Sequence, residues 1–257
     1  MTSRPAEGIA RAMFDLSLDG GVARLVLSRP EARNAIPLNG WMELARLAAE
    51  AEAAGARLLI LAGSGSAFCA GADISEFPAF RDDPAAPAVF RKAMRIGIDA
   101  VRGLAVPTVA LIEGPCFGAG VALAIACDIR LAGPAASFAI TPAKFGISYP
   151  QEDVHRLVSL VGEGQAARLL FGAQAIDGAE AARIGLVERF LPEGAAAEAL
   201  ALASAIAAND PDSLRTLNQG LRLAAAGHAR ADEQDRRFDE LLLSDRLAAV
   251  LAGRGRS

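Results

Sequence analysis

The chain has 257 residues, a net charge of −4 and no basic block, which argues against nucleic acid as a main partner. It is 53% hydrophobic but only 5% aromatic, so a large core must be built from Ala, Leu, Val and Ile. Cys69, Cys116 and Cys127 lie in apolar or small-residue surroundings without CxxC spacing, which points to reduced, packed thiols and away from a zinc site or disulfide framework. The opening stretch MTSRPAEGIARAMF carries no hydrophobic leader core, and no apolar run reaches the ~18 residues of a membrane helix, so a soluble, cytoplasmic protein is expected.

Residues 12–28 read as a hairpin, with two strand-like runs around Asp19-Gly20-Gly21. A polar loop, SRPEARNA, precedes a helical pattern over 38–54 that puts Trp41, Leu44, Ala45, Ala48 and Ala51 on one face and stops at Gly55. The continuous apolar run 57–62 has the character of a strand buried on both faces. A Gly/Ser loop and a short helical turn over 73–77 follow, then a proline-rich surface loop at 78–87 and a helix over 88–103.

The stretch Val106–Arg130, VPTVALIEGPCFGAGVALAIACDIR, reads as strand, small-residue turn and buried helix, with Asp128 opening the next strand. A strand that feeds a glycine-lined helix N-terminus presents free N–H groups to a negative oxygen. The same small residues also serve close packing of two buried elements. Beyond it come a strand at 128–132, a short extended run at 136–140, an irregular segment ending at Pro150, and helices over 151–161, 162–171 and 177–184. Residues 186–190 form a last strand, and everything from Glu193 reads helical, with no sheet left to cover. The order gives an α/β core over 1–192 and a helical region over 193–257.

Two glycine-flanked turns after two buried strands, RLLILAGSGSAFCAGADI and VPTVALIEGPCFGAGVALAIACDIR, closely resemble the crotonase (enoyl-CoA hydratase/isomerase) superfamily. RPEARNAI, CDIRLA and AARLLFGAQAIDGAEAARIGLVERFLP extend the resemblance over nearly the whole chain. It implies an α/β fold of repeated ββα units with a C-terminal α-helical trimerisation region, hence a homotrimer or a dimer of trimers. It also implies an acyl-CoA substrate whose enolate-like thioester oxygen is held by two backbone N–H groups, with no separate cofactor and no metal. Carried over residue by residue, those donors are Ala72 and Ala119, and Ala70, Ala72, Asp73, Ile74 and Ser75 bracket the coenzyme A portion. Asp73 reads equally as the N-cap of a short helix.

The chain departs from the hydratase pattern at both catalytic glutamates. The first position is Ala122, and the FGxPE-type segment here reads FAITPAKFG with Pro142, so neither can shuttle a proton. Residues 138–150 are instead similar to the corresponding stretch of methylmalonyl-CoA decarboxylase, a relationship that maps roles near the departing carboxylate to Thr141 and Tyr149; Ala72 replaces that relative's histidine. Glu152 and Asp153 read either as acids favouring the start of a helix or as a general base. His155 and His228 fit surface or structural roles, and no Ser–His–Asp set is visible. The expectation is an acyl-CoA enzyme working through an enolate, as decarboxylase, isomerase or altered hydratase; the alternative is a catalytically weak acyl-CoA-binding homologue.

Overall fold

A computed structural model describes residues 13–254. Most of the segment read as lacking a leader core, residues 1–12, lies outside the described residues. The hairpin is present as β1 (Phe14–Asp19) and β2 (Val22–Leu27), which pair antiparallel around Gly20 and Gly21, both at positive φ. β3 (Leu58–Gly63), β4 (Thr108–Ile112), β6 (Ile129–Ala132) and β9 (Arg189–Phe190) continue the sheet in parallel, in the order β1-β2-β3-β4-β6-β9. A second, three-stranded sheet is ordered β5-β7-β8 and uses Pro115–Phe117, Ser137–Ala139 and Ile176–Asp177.

Burial explains the continuous apolar strands. Leu59 and Leu61 of β3 face a core shared with α1 (Leu38–Ala53), α2 (Ala86–Gly103) and α3 (Ala119–Ala126), while Leu58, Ile60 and Ala62 face the other way. Helices α1 and α2 approach closely because Gly97 has no side chain: a Cβ there would stand 2.6 Å from the Trp41 carbonyl oxygen. Trp41 itself is fully buried at this crossing.

The far face of the sheet corrects the expectation that the helical tail has no sheet to cover. In α6 (Ala196–Ala207), Ala199 and Ala203 pack with Ala195 on Leu58, Ile60, Val109 and Leu111. The reason is that β3 and β4 are apolar on both faces, and an alanine stripe lets a helix lie close against the second one. Helices α7 (Pro211–Ala225), α8 (Asp232–Leu242) and α9 (Asp245–Arg254) follow and expose Leu217, Leu221, Phe238, Leu242 and Leu243. One boundary also differs from the sequence reading: the helical turn after Asp73 runs on to Arg81, leaving only a short link to α2. The segment α4 (Gln151–Gly172) is two helices that meet at a kink at Gly162, where φ is 74° and ψ is 162°, at the division the sequence reading gave.

Candidate active site

Adjacent parallel strands β3 and β4 each deliver a turn at their C-terminal ends, and the two turns are tied to each other. Phe68 and Cys69 N–H donate to the Pro115 carbonyl at 3.0 and 3.1 Å, and Phe117 N–H donates to the Cys69 carbonyl at 2.9 Å. Two glycines make the contact possible. A Cβ on Gly71, whose φ is +102°, would stand 2.8 Å from the Phe117 oxygen and 3.0 Å from the Ala119 nitrogen; one on Gly120 would stand 2.4 Å from the Cys69 oxygen.

This interlock leaves two amides free. The bridge between Ile36 and Ala72 uses the groups on either side of Ala72, with Ile36 N–H donating to Gly71 O (2.8 Å) and Asp73 N–H to Ile36 O (3.0 Å). The Ala72 N–H is therefore turned to the opposite side. Ala119 is the first residue of α3, after Gly118 at φ 52° and ψ −121°, so its N–H has no acceptor within the helix. Both alanines line one cavity of about 950 Å³.

The other predicted residues fall into three groups. Ala70, Asp73, Ile74, Thr141 and Tyr149 line the same cavity, as do Arg33 and Lys144. Asp73 caps the turn that follows through Ser75, whose N–H and hydroxyl donate to Oδ1 at 3.2 and 2.7 Å; Arg29 donates to Oδ2 at 3.0 Å. Burial opposes the charge on Asp73, but Ser75 and Arg29 outweigh it and hold the carboxyl below its usual value. Ser75 is exposed beside this cap and is not among the residues that line the cavity.

Tyr149, the one tyrosine of the sequence, donates its hydroxyl proton to the Gly118 carbonyl at 3.0 Å, next to the free Ala119 amide. Burial pushes its phenol well above the usual tyrosine range, and the Asp153 carboxylate and Cys116 nearby push in the same direction. Thr141 lies over the same turn: a Cβ on Gly118 would be 3.8 Å from its hydroxyl oxygen.

The acid pair separates. Glu152 is exposed on the first turn of α4 and does not line the cavity, so the structure does not bring it to the reacting centre. Asp153 borders the cavity, but its side chain is fully buried. Its Oδ1 takes Arg95 Nη1 of α2 at 2.9 Å. Burial raises its carboxyl above the usual value against the pull of Arg95 and Arg156. With α4 starting toward α2 and the carboxylate paired to a guanidinium, Asp153 is a held charge; of the two sequence readings, helix-start acid and general base, this geometry accords with the first. Ala122 is fully buried and Pro142 lines the cavity. His155 and His228 are both exposed. Among the described residues no group of three or more His, Cys, Asp or Glu side chains forms a metal site.

Sequence reasoning missed two sets of residues. Asn34, buried at φ 58°, sends its amide to the carbonyls of Ser64 (2.9 Å) and Ala67 (2.8 Å) and receives Arg29 N–H on Oδ1 at 3.0 Å. It clamps the loop after β2 onto the β3 turn; an asparagine inside a polar loop, tolerant of positive φ, was the available signal. The second set is the apolar wall. Phe77, Phe80 and Phe90 form a mutually packed trio with ring centroids 5.1–5.6 Å apart, and they line the cavity with Met94.

Known proteins match this arrangement. The model of the family "Enoyl-CoA hydratase/isomerase" matches residues 17–248. A Mycobacterium tuberculosis protein named "Probable enoyl-CoA hydratase echA6" is 36% identical over 195 residues, 76% of each chain. The "Mevalonyl-coenzyme A hydratase sidH" of Aspergillus fumigatus is 32% identical over 201 residues, 77% of this chain and 73% of that one. Among solved structures, an enoyl-CoA hydratase/isomerase family protein of Hyphomonas neptunium superposes with a TM-score of 0.86 at 34% identity, covering 91% of both chains. An enoyl-CoA hydratase/carnithine racemase of Magnetospirillum magneticum gives 0.89 at 29% identity, covering 96% of this chain and 94% of that one. With the family model matching residues 17–248, the chain belongs to the enoyl-CoA hydratase/isomerase family of the crotonase superfamily.

Proposed function

We propose that this acyl-CoA enzyme stabilises a thioester enolate between the Ala72 and Ala119 amides and delivers a proton to carbon from Tyr149, with decarboxylation of a malonyl-type acyl-CoA as its reaction. The observation that carries the reading is the Tyr149 hydroxyl on the Gly118 carbonyl, one residue from the Ala119 amide. A phenol that holds its proton is a donor, and decarboxylation asks for a donor without asking for a base.

In this reaction the bond from Cα to the carboxylate breaks and leaves its electron pair on the thioester, as an enolate whose oxygen accepts both amides. Carbon dioxide departs. The phenol proton then goes to Cα, and solvent reprotonates the phenolate. Thr141 contributes a hydroxyl on the same side of the Gly118 turn. Coenzyme A enters as part of the substrate, along the Ala70–Ser75 segment, with Arg33 and Lys144 at the cavity as cations for its phosphates. The exposed leucines and Phe238 on α7 and α8 support assembly of copies through the helical region, as a trimer or a dimer of trimers.

Ala122 and Pro142 favour a second reading, an acyl-CoA-binding homologue with little catalysis. Assays with methylmalonyl-CoA, ethylmalonyl-CoA and crotonyl-CoA separate the two. Release of carbon dioxide from either malonyl ester supports the first. Binding of all three without turnover supports the second, and hydration of crotonyl-CoA at an ordinary enzymatic rate overturns both.

A further inference from the structure

The charges between α2 and α4 take no direct part in the reaction proposed above, yet they are arranged as a closed ring. Arg95 and Asp99 stand one turn apart on α2, and Asp153 and Arg156 stand one turn apart on α4. Arg95 reaches Asp153 Oδ1 at 2.9 Å and Asp99 Oδ2 at 3.1 Å. Arg156 reaches Asp99 Oδ1 at 2.8 Å and Asp153 Oδ1 at 3.5 Å. Each cation thus meets both anions. The outer corner, Asp99, is 48% exposed, whereas the Asp153 side chain is 0% exposed. Surface ion pairs of this kind contribute little, but a fully buried carboxylate held by a guanidinium is a fixed object.

The ring sits at the start of α4, and Tyr149 is the residue before its Pro150 N-cap. The Asp153 N–H donates to the Pro150 carbonyl at 3.0 Å, so the carboxylate and the tyrosine belong to one turn of chain. Both Asp153 contacts fall on Oδ1; Oδ2 is buried with no hydrogen-bond partner among the described residues. We propose that Asp153, anchored to α2 by Arg95, is a positioning residue that fixes Tyr149 against the Gly118 carbonyl as a proton donor only.

Two effects follow from the ring. Mechanically, the α2 anchor sets the angle at which α4 begins and hence where the phenol lies. Electrostatically, the Asp153 carboxylate opposes a phenolate beside it. The charged and titratable groups that face this corner are Asp153, Arg156 and Glu152 from α4, Arg95 and Asp99 from α2, and Cys116 from the turn after β4. Arg95 pulls the phenol the other way, and burial and Asp153 outweigh it. The proposal uses the role of Tyr149 given above only for its catalytic consequence; the ionisation of Tyr149 tests it with no substrate.

Because Tyr149 is the sole tyrosine, near-ultraviolet phenolate absorbance against pH reports this residue alone. In the wild-type chain the titration should lie well above the ordinary tyrosine value of about 10. In Asp153→Asn, folded by circular dichroism, it should fall measurably toward the ordinary tyrosine value, and Asp153→Glu should restore it. An unchanged titration in folded Asp153→Asn overturns the proposal. If that variant does not fold, Arg95→Lys keeps a cation opposite Asp153 and loses the fork that also holds Asp99. Its phenolate curve should depart from the wild type, and a superimposable curve overturns the proposal. On an active substrate, Asp153→Asn should lower kcat about tenfold or more with KM within about twofold. Absence of any turnover with a shifted phenolate curve overturns the enzymatic reading and leaves the positioning role standing.

Discussion

Ala119→Pro isolates one backbone donor. Ala119 is the first residue of α3, the helical position where proline is best tolerated, and its N–H closes no bond within the helix. Gly118 before it has φ 52° and ψ −121°, the mirror image of an extended residue, which glycine adopts freely and which avoids the helical region that a following proline disfavours. Folding stability should therefore change by less than about 1 kcal/mol, against about 3 kcal/mol for a proline in a helix interior. The donor itself is lost and its place is taken by a ring methylene. Removing one oxyanion donor costs about 10²- to 10³-fold in kcat, some 2.7–4 kcal/mol of transition-state stabilisation. The assay is carbon dioxide release from methylmalonyl-CoA or ethylmalonyl-CoA under saturating substrate, beside urea unfolding of the same protein. Ala119→Ser, which keeps the amide, is the control and should stay within a few-fold of wild type. Equal rates for the proline and serine variants would refute the assignment of this amide.

Four further outcomes are expected. Tyr149→Phe should fold as the wild type and lose at least about 10²-fold in turnover, the usual contribution of a positioned acid. With Tyr149 as donor, the rate should be insensitive to this group through neutral pH and fall only as pH rises past its raised phenol value; a downturn attributable to Tyr149 below about pH 9 in a pH–rate profile contradicts the role. Burial pushes the Cys69 and Cys127 thiols up to about 12 and Cys116 well above its usual value, so a thiol-specific chromogenic reagent at pH 8 should label none of the three until denaturant is added. Gly71→Ala should cost about 1–3 kcal/mol from its φ alone, and the approach to the Phe117 oxygen adds to that cost; urea midpoints and the decarboxylation rate should fall together.

The sheet strands were legible because β3 and β4 are short apolar runs bounded by glycine, a pattern that two-sided burial produces directly. The two interlocked turns were legible because glycine spacing reports backbone approach. What the sequence did not disclose depends on which surfaces meet. The alanines of α6 carry no mark of the partner they cover, and the same stripe would suit a helix bundle. Phe77, Phe80 and Phe90 come from two elements separated by a proline-rich link, so their convergence is a tertiary fact. Asp153 and Glu152 are neighbours with the same chemistry, and only the helix phase sends one inward to Arg95 and the other to solvent. The i,i+4 spacing of Arg95 and Asp99 and the i,i+3 spacing of Asp153 and Arg156 were present in the chain, but each reads first as an ordinary surface pair.

The tie between the Cys69 and Cys116 turns bears on how the site tolerates change. The turns that hold the two amides are joined by backbone contacts, the Cys69–Cys116 bridge among them, so no side chain has to be placed to bring them together. Any residue except proline can stand at 72 or 119 and present the same N–H. The constraint falls on Gly71 and Gly120, which never touch the thioester oxygen but permit the turns to meet. Mutational tolerance in this region should therefore be inverted with respect to chemistry: the donor positions should accept many residues, and the silent glycines almost none. On the proposed reading, a protein built this way can exchange every proton-handling side chain around the thioester and still hold the charge of an enolate.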